Sequence, residues 1–357
     1  MTPGSEAAAR HGRPQLGPVL PNHRFDEARL LAYLRQQLPG FPADCSIRQF
    51  QGGQSNPTFQ LATSAGTYVM RKQPPGTLLP SAHAVDREFT IMQALAASGV
   101  PVPKMYLLCE DPTVIGQMFY LMEWVDGRVF ADATLPVIAP AERAQLYAAM
   151  NATLAALHRV DIARVGLSGY GRPEQFVARQ ISRWSRQYRA TELSDSPEMD
   201  ALMRWLPEQD PGPEEVAINH GDYRIGNLLF HPTAPRVVAV LDWELSTLGH
   251  PVADLAYNCL IYHGLTVAGR RIELAALADS GIPSEHDYVE AYCRAVGRPA
   301  IARWRFFLVF ALFRAASIMA GVHRRARAGN AADAHALEVS SVYRELAQRA
   351  WAIAEGL

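Results

Sequence analysis

The chain has 357 residues, 49% hydrophobic and 19% charged, and its 34 Lys and Arg balance 35 Asp and Glu to a formal charge of -1. That composition supports a sizeable core in one large domain or two lobes, and the near-neutral balance supplies no basic field for a phosphate backbone, which argues against nucleic acid as the partner. Cys45, Cys109, Cys259 and Cys293 are scattered without a CxxC pair, so neither a disulfide framework nor a zinc site is indicated and a reducing cytoplasm is expected.

In chain order, Pro3, Gly4, Pro14, Gly17 and Pro21 punctuate a segment without the continuous apolar core of a signal peptide, so residues 1–24 read as a flexible leader. Leu30, Leu31, Leu34 and Leu38 recur at helical spacing before Pro39-Gly40, which predicts a short opening helix. Extended segments follow at Ile47 to Phe50, Thr58 to Ala62 and Thr67 to Arg71, the last two joined by a turn at Ser64-Ala65-Gly66, and together they read as an antiparallel meander. Val85 to Ala97 has a helical period with Gly99 placed to cap it, and strands near Met105 to Leu108 and Met118 to Val125 complete a small α+β lobe over residues 25–125.

Asp126-Gly127 breaks the pattern, and residues 126–357 are expected to be mainly helical, with helices at Glu142 to Leu157, Glu174 to Tyr188 and Ile301 to Arg327. The apolar run Phe306 to Phe313 is halted by Arg314 and is too short to span a bilayer, so it reads as a buried helix and no membrane partner is expected. Asn227 to Phe230 and Val237 to Leu241, separated by a turn containing Pro232 and Pro235, predict a β-hairpin inside the helical region.

The chemistry gathers around that hairpin. In His220-Gly221-Asp222-Tyr223-Arg224-Ile225-Gly226-Asn227 an Asp and an Asn are separated by four residues, and Asp242 follows the hairpin. Phosphoryl transfer needs a carboxylate to orient an acceptor hydroxyl and take its proton, together with metal ions that neutralise charge on the moving phosphate. Asp222 suits the first task. Asn227 and Asp242 suit the second, because magnesium takes a few hard oxygen ligands and completes its shell with water and nucleotide phosphates. Any one of these residues could instead cap a turn or helix; their joint order and spacing is what points to chemistry.

These motifs resemble the superfamily of aminoglycoside phosphotransferases, choline kinases and fructosamine kinases, whose catalytic loop reads HGDxxxxN and whose metal-binding Asp follows a short hairpin. Leu241-Asp242-Trp243-Glu244 has the form this superfamily uses in place of the Asp-Phe-Gly of protein kinases, and Gly249 to Ala256 is similar to its GxPxxDLA helix start, where the acidic residue, here Asp254, braces the catalytic loop. The resemblance implies a bilobal protein-kinase-like α+β fold, with a small antiparallel-sheet N-lobe and a larger helical C-lobe, acting as an ATP- and Mg2+-dependent phosphotransferase on an alcohol group of a small molecule. His220 reads as scaffold beside the loop.

The same resemblance assigns roles upstream. Gln51-Gly52-Gly53-Gln54-Ser55-Asn56 lies between two strands, where Gly52, Gly53 and Ser55 would let backbone amides approach nucleotide phosphates. In Tyr68-Val69-Met70-Arg71-Lys72, strand alternation aligns Arg71 with the phosphate-binding cation of the kinase strand, with Lys72 the competitor if the strand slips by one residue. Glu88 is the expected ion-pair partner of that cation. Leu121 to Gly127 falls where an interlobe hinge belongs, with backbone groups of Glu123 and Val125 pairing with adenine.

The stretch from Tyr68 to His83 looks most like the kinase-like domains associated with acyl-CoA dehydrogenases, which implies a functional link to such an enzyme and a hydroxy acid or hydroxyacyl-CoA as acceptor. An aminoglycoside acceptor and a catalytically silent nucleotide-binding module are the alternatives. Arg224, Trp184, Tyr188, Trp304 and Arg305 are candidate acceptor walls, the aromatic ones also fitting a core at their helical spacing. Oligomeric state is not legible.

Overall fold

A computed structural model describes residues 15–51, 56–76, 84–193, 195–264, 272–327 and 341–356. The chain divides into two bodies, one of residues 1–129 with 227–246 and the other of residues 130–226 with 247–357.

The first body is built on a six-stranded sheet in the order β1-β2-β3-β4-β6-β5. Its strands are β1 (Leu16–Gly17), β2 (Ser46–Phe50), β3 (Thr58–Thr63), β4 (Gly66–Lys72), β5 (Met105–Cys109) and β6 (Phe119–Glu123). β1 lies in the stretch expected to be a loose leader, yet Leu16 pairs with Phe50 and Gly17 with Gln49. The correction has a local cause, because the Leu20 N–H also finds the Gln49 side chain at 2.9 Å and so fixes the chain past the strand.

Helix α1 (Glu27–Gln37) begins where Asp26 accepts the Arg29 N–H at 2.9 Å, and it ends before Pro39-Gly40. Its Leu30 and Leu34 are fully buried against Phe59, Leu61 and Phe119. α2 (Val85–Leu95) packs on β5 and β6, and α3 (Pro112–Ile115) is a single capped turn between those strands.

The second body starts with α4 (Pro140–His158), α5 (Phe176–Arg189), α6 (Pro197–Glu208) and β7 (Ala217–Asn219). The chain then returns to the first body as the hairpin β8 (Leu228–Phe230) and β9 (Val237–Val240). The residue split at 125/126 therefore does not describe the bodies, because residues 126–129 and 227–246 both group with the sheet. Close backbone contact is the reason: Arg128 exchanges backbone hydrogen bonds with Phe230 at 2.7 and 2.9 Å, and the Val240 N–H donates to Pro101 O at 2.9 Å. Gly127 permits this approach, since a Cβ there would meet Leu229 Cγ at 2.5 Å and the Phe230 carbonyl at 2.6 Å.

After the hairpin come β10 (Thr247–Gly249), which pairs with β7, and the helices α7 (Pro251–Asn258), α8 (Glu285–Val296), α9 (Trp304–Arg327) and α10 (Tyr343–Glu355). α9 is long and apolar enough to cross a bilayer, but 72% of its apolar window is buried, where α5, α7 and α10 pack around it. The expected core helix is thus present, starting three residues later than its pattern suggested. The kinase-like fold class read from the sequence is the one observed: an antiparallel sheet in the N-terminal region and helices beyond it.

Candidate active site

The first group of site residues lies wholly in the first body. β4 places Arg71 opposite Tyr120 on β6, and α2 brings Glu88 to the same face. Arg71 Nε lies 3.2 Å from Glu88 Oε2, an ion pair without the alignment of a hydrogen bond. Glu88 is fully buried, and Tyr120 Oη and Asn56 Nδ2 donate to its two oxygens at 3.1 and 2.9 Å. A carboxylate can be kept inside only with such partners. Burial pushes the Glu88 carboxyl up to about 7 against the pull of Arg71.

The other end of the Arg71 guanidinium serves the segment after the hairpin. Arg71 Nη2 donates to Asp242 Oδ1 at 2.7 Å and stands 3.9 Å from Glu244 Oε2. Between those two acids, Trp243 is completely buried with its Nε1 donating to Val240 O at 2.9 Å, so the indole anchors the turn and its neighbours face the guanidinium. Burial alone would lower the Arg71 pKa, but Glu88 foremost, with Tyr120, Asp242 and Glu244, holds it above its ordinary value. Asp242 takes a left-handed backbone, φ 67 and ψ 58, a conformation that Asp tolerates better than most residues and that recurs at functional turns.

Asn227 sits at the foot of the same hairpin, its carbonyl accepting the Leu241 N–H at 2.9 Å. One hairpin thereby brings Asn227 to the residue preceding Asp242. The donors are an amide oxygen and a carboxylate, hard ligands that fit magnesium, and Asp242 keeps 31% of its side chain open to solvent. Among the described residues no three His, Cys, Asp or Glu cluster as a metal cage, so such an ion would complete its shell with nucleotide oxygens and water.

Lys72, the rival cation, points through the opposite face of the sheet. It is fully buried, donating to Gln117 Oε1 at 3.1 Å with its ammonium 5.9 Å from the Phe25 ring centre. Burial lowers its pKa to about 8. Of the remaining nucleotide candidates, Gly52, Gly53 and Ser55 lie outside the described residues. Glu123 ends β6 and gives its N–H to Lys104 O at 2.8 Å, so that group is not available to a base; Val125 follows in irregular backbone and is half-buried.

The second group lies in the second body. Gly221 adopts φ 85, turning the chain so that the N–H groups of His220 and Gly221 both donate to the buried Asp254 carboxylate, at 2.7 and 2.9 Å. His158 Nε2 stands 3.4 Å from the same carboxylate and its Nδ1 is 2.6 Å from Tyr292 Oη. Although burial works the other way, the hydrogen bond from His158 and those from the loop amides hold Asp254 below the usual carboxylate range. Asp254 on α7 thus braces the loop, and His220 is interior scaffold whose Nδ1 accepts the Asp222 N–H at 3.2 Å.

Asp222 itself is partly open, with Arg224 Nε donating to its Oδ2 at 3.1 Å. Burial and then the Asp222 carboxylate push the titration of Tyr257 upward. Arg314 on α9 donates to Gly221 O and lies 4.4 Å over the Tyr257 ring. Of the candidate walls, Trp184 and Tyr188 are core residues of α5, Trp304 donates to Glu285 at 3.0 Å, and Arg305 binds the carbonyl of Ala354 near the end of α10. Those last two serve packing and capping.

Sequence reasoning missed Tyr120 and Asn56 around Glu88, and Tyr257 and Arg314 around the loop. Strand register carries the Tyr120 signal, since it pairs with Arg71 across the sheet, and register between residues 49 positions apart is not written locally.

Comparison with known proteins identifies the family. A family model described as phosphotransferase enzyme family matches residues 46–307. The chain is 43% identical over 354 residues to a Homo sapiens protein named acyl-CoA dehydrogenase family member 11, covering 98% of this chain and 45% of that protein. Its Gallus gallus counterpart is 45% identical over 345 residues, covering 94% and 44%. The chain thus spans somewhat under half the length of these curated relatives. A crystal structure described as a putative aminoglycoside phosphotransferase from Ralstonia eutropha JMP134 is 46% identical, with a TM-score of 0.84 over 93% of this chain and 99% of that one. Choline kinase from Cryptosporidium parvum shares the fold alone, at 11% identity and a TM-score of 0.65 over 93% and 97% of the two chains. Because the family match takes in Arg71 and Glu88 as well as Asp222, Asn227, Asp242 and Asp254, the chain belongs to the phosphotransferase enzyme family.

Proposed function

We propose that the chain transfers the terminal phosphate of ATP to a hydroxyl of a small molecule, with Asp222 taking the hydroxyl proton, Asn227 and Asp242 holding magnesium, and Arg71, fixed by Glu88, meeting the nucleotide phosphates. The observation that carries this reading is the Arg71 guanidinium, held at 3.2 Å by buried Glu88 and at 2.7 Å by partly open Asp242. A planar fork between one structural and one accessible carboxylate is suited to exchange Asp242 for phosphate oxygens when nucleotide and metal arrive. Bound magnesium would supply charge neutralisation on the transferring phosphate. Gly52, Gly53 and Ser55, with the Glu123 carbonyl and the backbone at Val125, are the further nucleotide contacts of this reading, the Glu123 N–H being taken by Lys104.

Asp222 has the environment of an orienting base: its carboxylate is partly open and is positioned by Arg224. We assign the acceptor to the hydroxy acids or their CoA thioesters. Similarity to relatives named for acyl-CoA dehydrogenases supports that class, and it carries with it a functional link to such an enzyme. ADP release by the purified protein with magnesium and ATP, measured across hydroxy acids, hydroxyacyl-CoA esters and aminoglycosides, tests the assignment. Turnover on the first two is expected; strong turnover on aminoglycosides with none on the others overturns it.

A further inference from the structure

Among the described residues of the second body, several donors gather without an acceptor. α5 carries Arg183 and Trp184, α9 carries Arg314 and α7 carries Tyr257, and α9 packs against both of the other helices. The Arg183 guanidinium lies 5.0 Å and that of Arg314 5.4 Å from the Trp184 ring centre, so two positive groups share one indole. Among the described residues neither arginine has an ion-pair partner. Two of the polar N–H groups here, Arg314 Nε and Trp184 Nε1, are buried without an acceptor among the described residues, and Trp184 is only 4% exposed.

Like charges drawn together and buried donors without acceptors both cost free energy, and an anion relieves both at once. Partial desolvation first, and Arg314 second, lower the Arg183 pKa. The place matters as much as the charge. Arg314 also donates to Gly221 O, next to Asp222 in the chain, and stacks 4.4 Å over Tyr257, so the cationic group adjoins the loop that carries the proposed base.

We propose that Arg183 and Arg314, on the rings of Trp184 and Tyr257, form the anion-binding part of the acceptor site and select a molecule that carries a carboxylate or phosphate in addition to its reacting hydroxyl. This rests on the phosphotransfer reading given above and adds to it the residues that read the acceptor's charge. It also makes the site hostile to a polycation, because an ammonium entering here would meet two guanidinium groups.

The test uses the whole chain and three matched acceptors: a hydroxy acid of six to ten carbons, its CoA thioester and its methyl ester. The acid presents a carboxylate, the thioester only phosphates, and the ester neither. The expected result is a preference of about tenfold or more in kcat/KM for a charged acceptor over the methyl ester, the better of the two naming the anion. Arg183→Gln should raise KM for that acceptor about tenfold with kcat nearly unchanged, leave the methyl ester unaffected, and be partly rescued by Arg183→Lys, which keeps charge but not the fork. Arg183 is the cleaner variant, since Arg314 also holds Gly221.

A second measurement needs no turnover: titration of hexanoate and of inorganic phosphate, read by tryptophan fluorescence, with Trp184→Phe as the control that abolishes the signal. If anions perturb Trp184 in an Arg183-dependent way while no acceptor is phosphorylated, the anion site stands and the phosphotransfer reading falls. If acceptors are phosphorylated but the methyl ester serves equally well and Arg183→Gln changes neither KM nor fluorescence, the anion site falls and phosphotransfer stands.

Discussion

The two bodies use arginine in opposite ways. In the first, Arg71 is surrounded by three carboxylates, at 3.2, 2.7 and 3.9 Å, so its charge is answered internally and its position is fixed before any ligand binds. In the second, Arg183 and Arg314 face aromatic rings and have no ion-pair partner among the described residues. An arginine saturated by its own chain is framework that a ligand joins, whereas arginines left unanswered wait for charge from outside.

The largest effect should come from Asp222, whose carboxylate is partly open on the loop before the hairpin. Asp222→Asn should lower kcat by about a thousandfold, within the range for loss of a general base, while leaving nucleotide affinity unchanged because the Arg71 group is untouched. ADP release beside a direct nucleotide titration checks it, and a parallel loss of nucleotide binding would undo the division of labour.

Next in size is Asp254, the buried acid on which the loop hangs. Asp254→Ala strands the N–H groups of His220 and Gly221 and should cost about 3 kcal/mol of stability in urea denaturation, with Asp254→Asn costing less because one acceptor survives. An unchanged midpoint would mean that the loop is held elsewhere.

Asp242→Ala probes the internal balance from the other side. Since 31% of that side chain is accessible and Arg71 keeps Glu88, the fold should survive while magnesium-dependent turnover falls by about a hundredfold. Wild-type magnesium dependence in this variant would remove Asp242 from the metal site.

The smallest effect belongs to Lys72. Its folded pKa, about 8, lies below the ordinary 10.5, so folding disfavours its charged form: stability from this group is complete above about 10.5 and is lost as pH falls through 8. Lys72→Met should therefore stabilise the protein at pH 7, on the order of 1–2 kcal/mol, and its advantage should shrink between pH 8 and 10.5. Chemical denaturation at three pH values reads the difference, and a loss of nucleotide affinity in this variant would reinstate Lys72 as the phosphate cation.

Much of this was legible in the chain. The hairpin and the loop before it followed from local period and motif spacing; the pairing of Arg71 with Glu88 followed from the family resemblance, with alternation along the strand deciding which of two adjacent cations meets α2. Other features were not, since they depend on register or on which helices meet. Tyr120 reaches Glu88 through strand pairing across the sheet. Arg314 reads in sequence only as the charge that stops an apolar run, and its meaning appears when α9 lays it over Tyr257. The expected boundary after Val125 failed for a similar reason: chain order placed the hairpin with the helices around it, but backbone bonds at Arg128 and Pro101 attach it to the sheet.

That attachment bears on how the protein is made. When synthesis has passed residue 129, the sheet exists in covalent form, but the strands that dock at Gly127 and the acid that answers Arg71 have not been translated. The nascent first body must wait about a hundred residues, several seconds at ordinary elongation rates, with an apolar seam and a half-paired guanidinium uncovered. During that interval it is open to chaperones and to misassociation. A fragment ending at residue 129 would keep that incomplete state permanently, so the order of translation and the order of folding are different sequences of events in this chain.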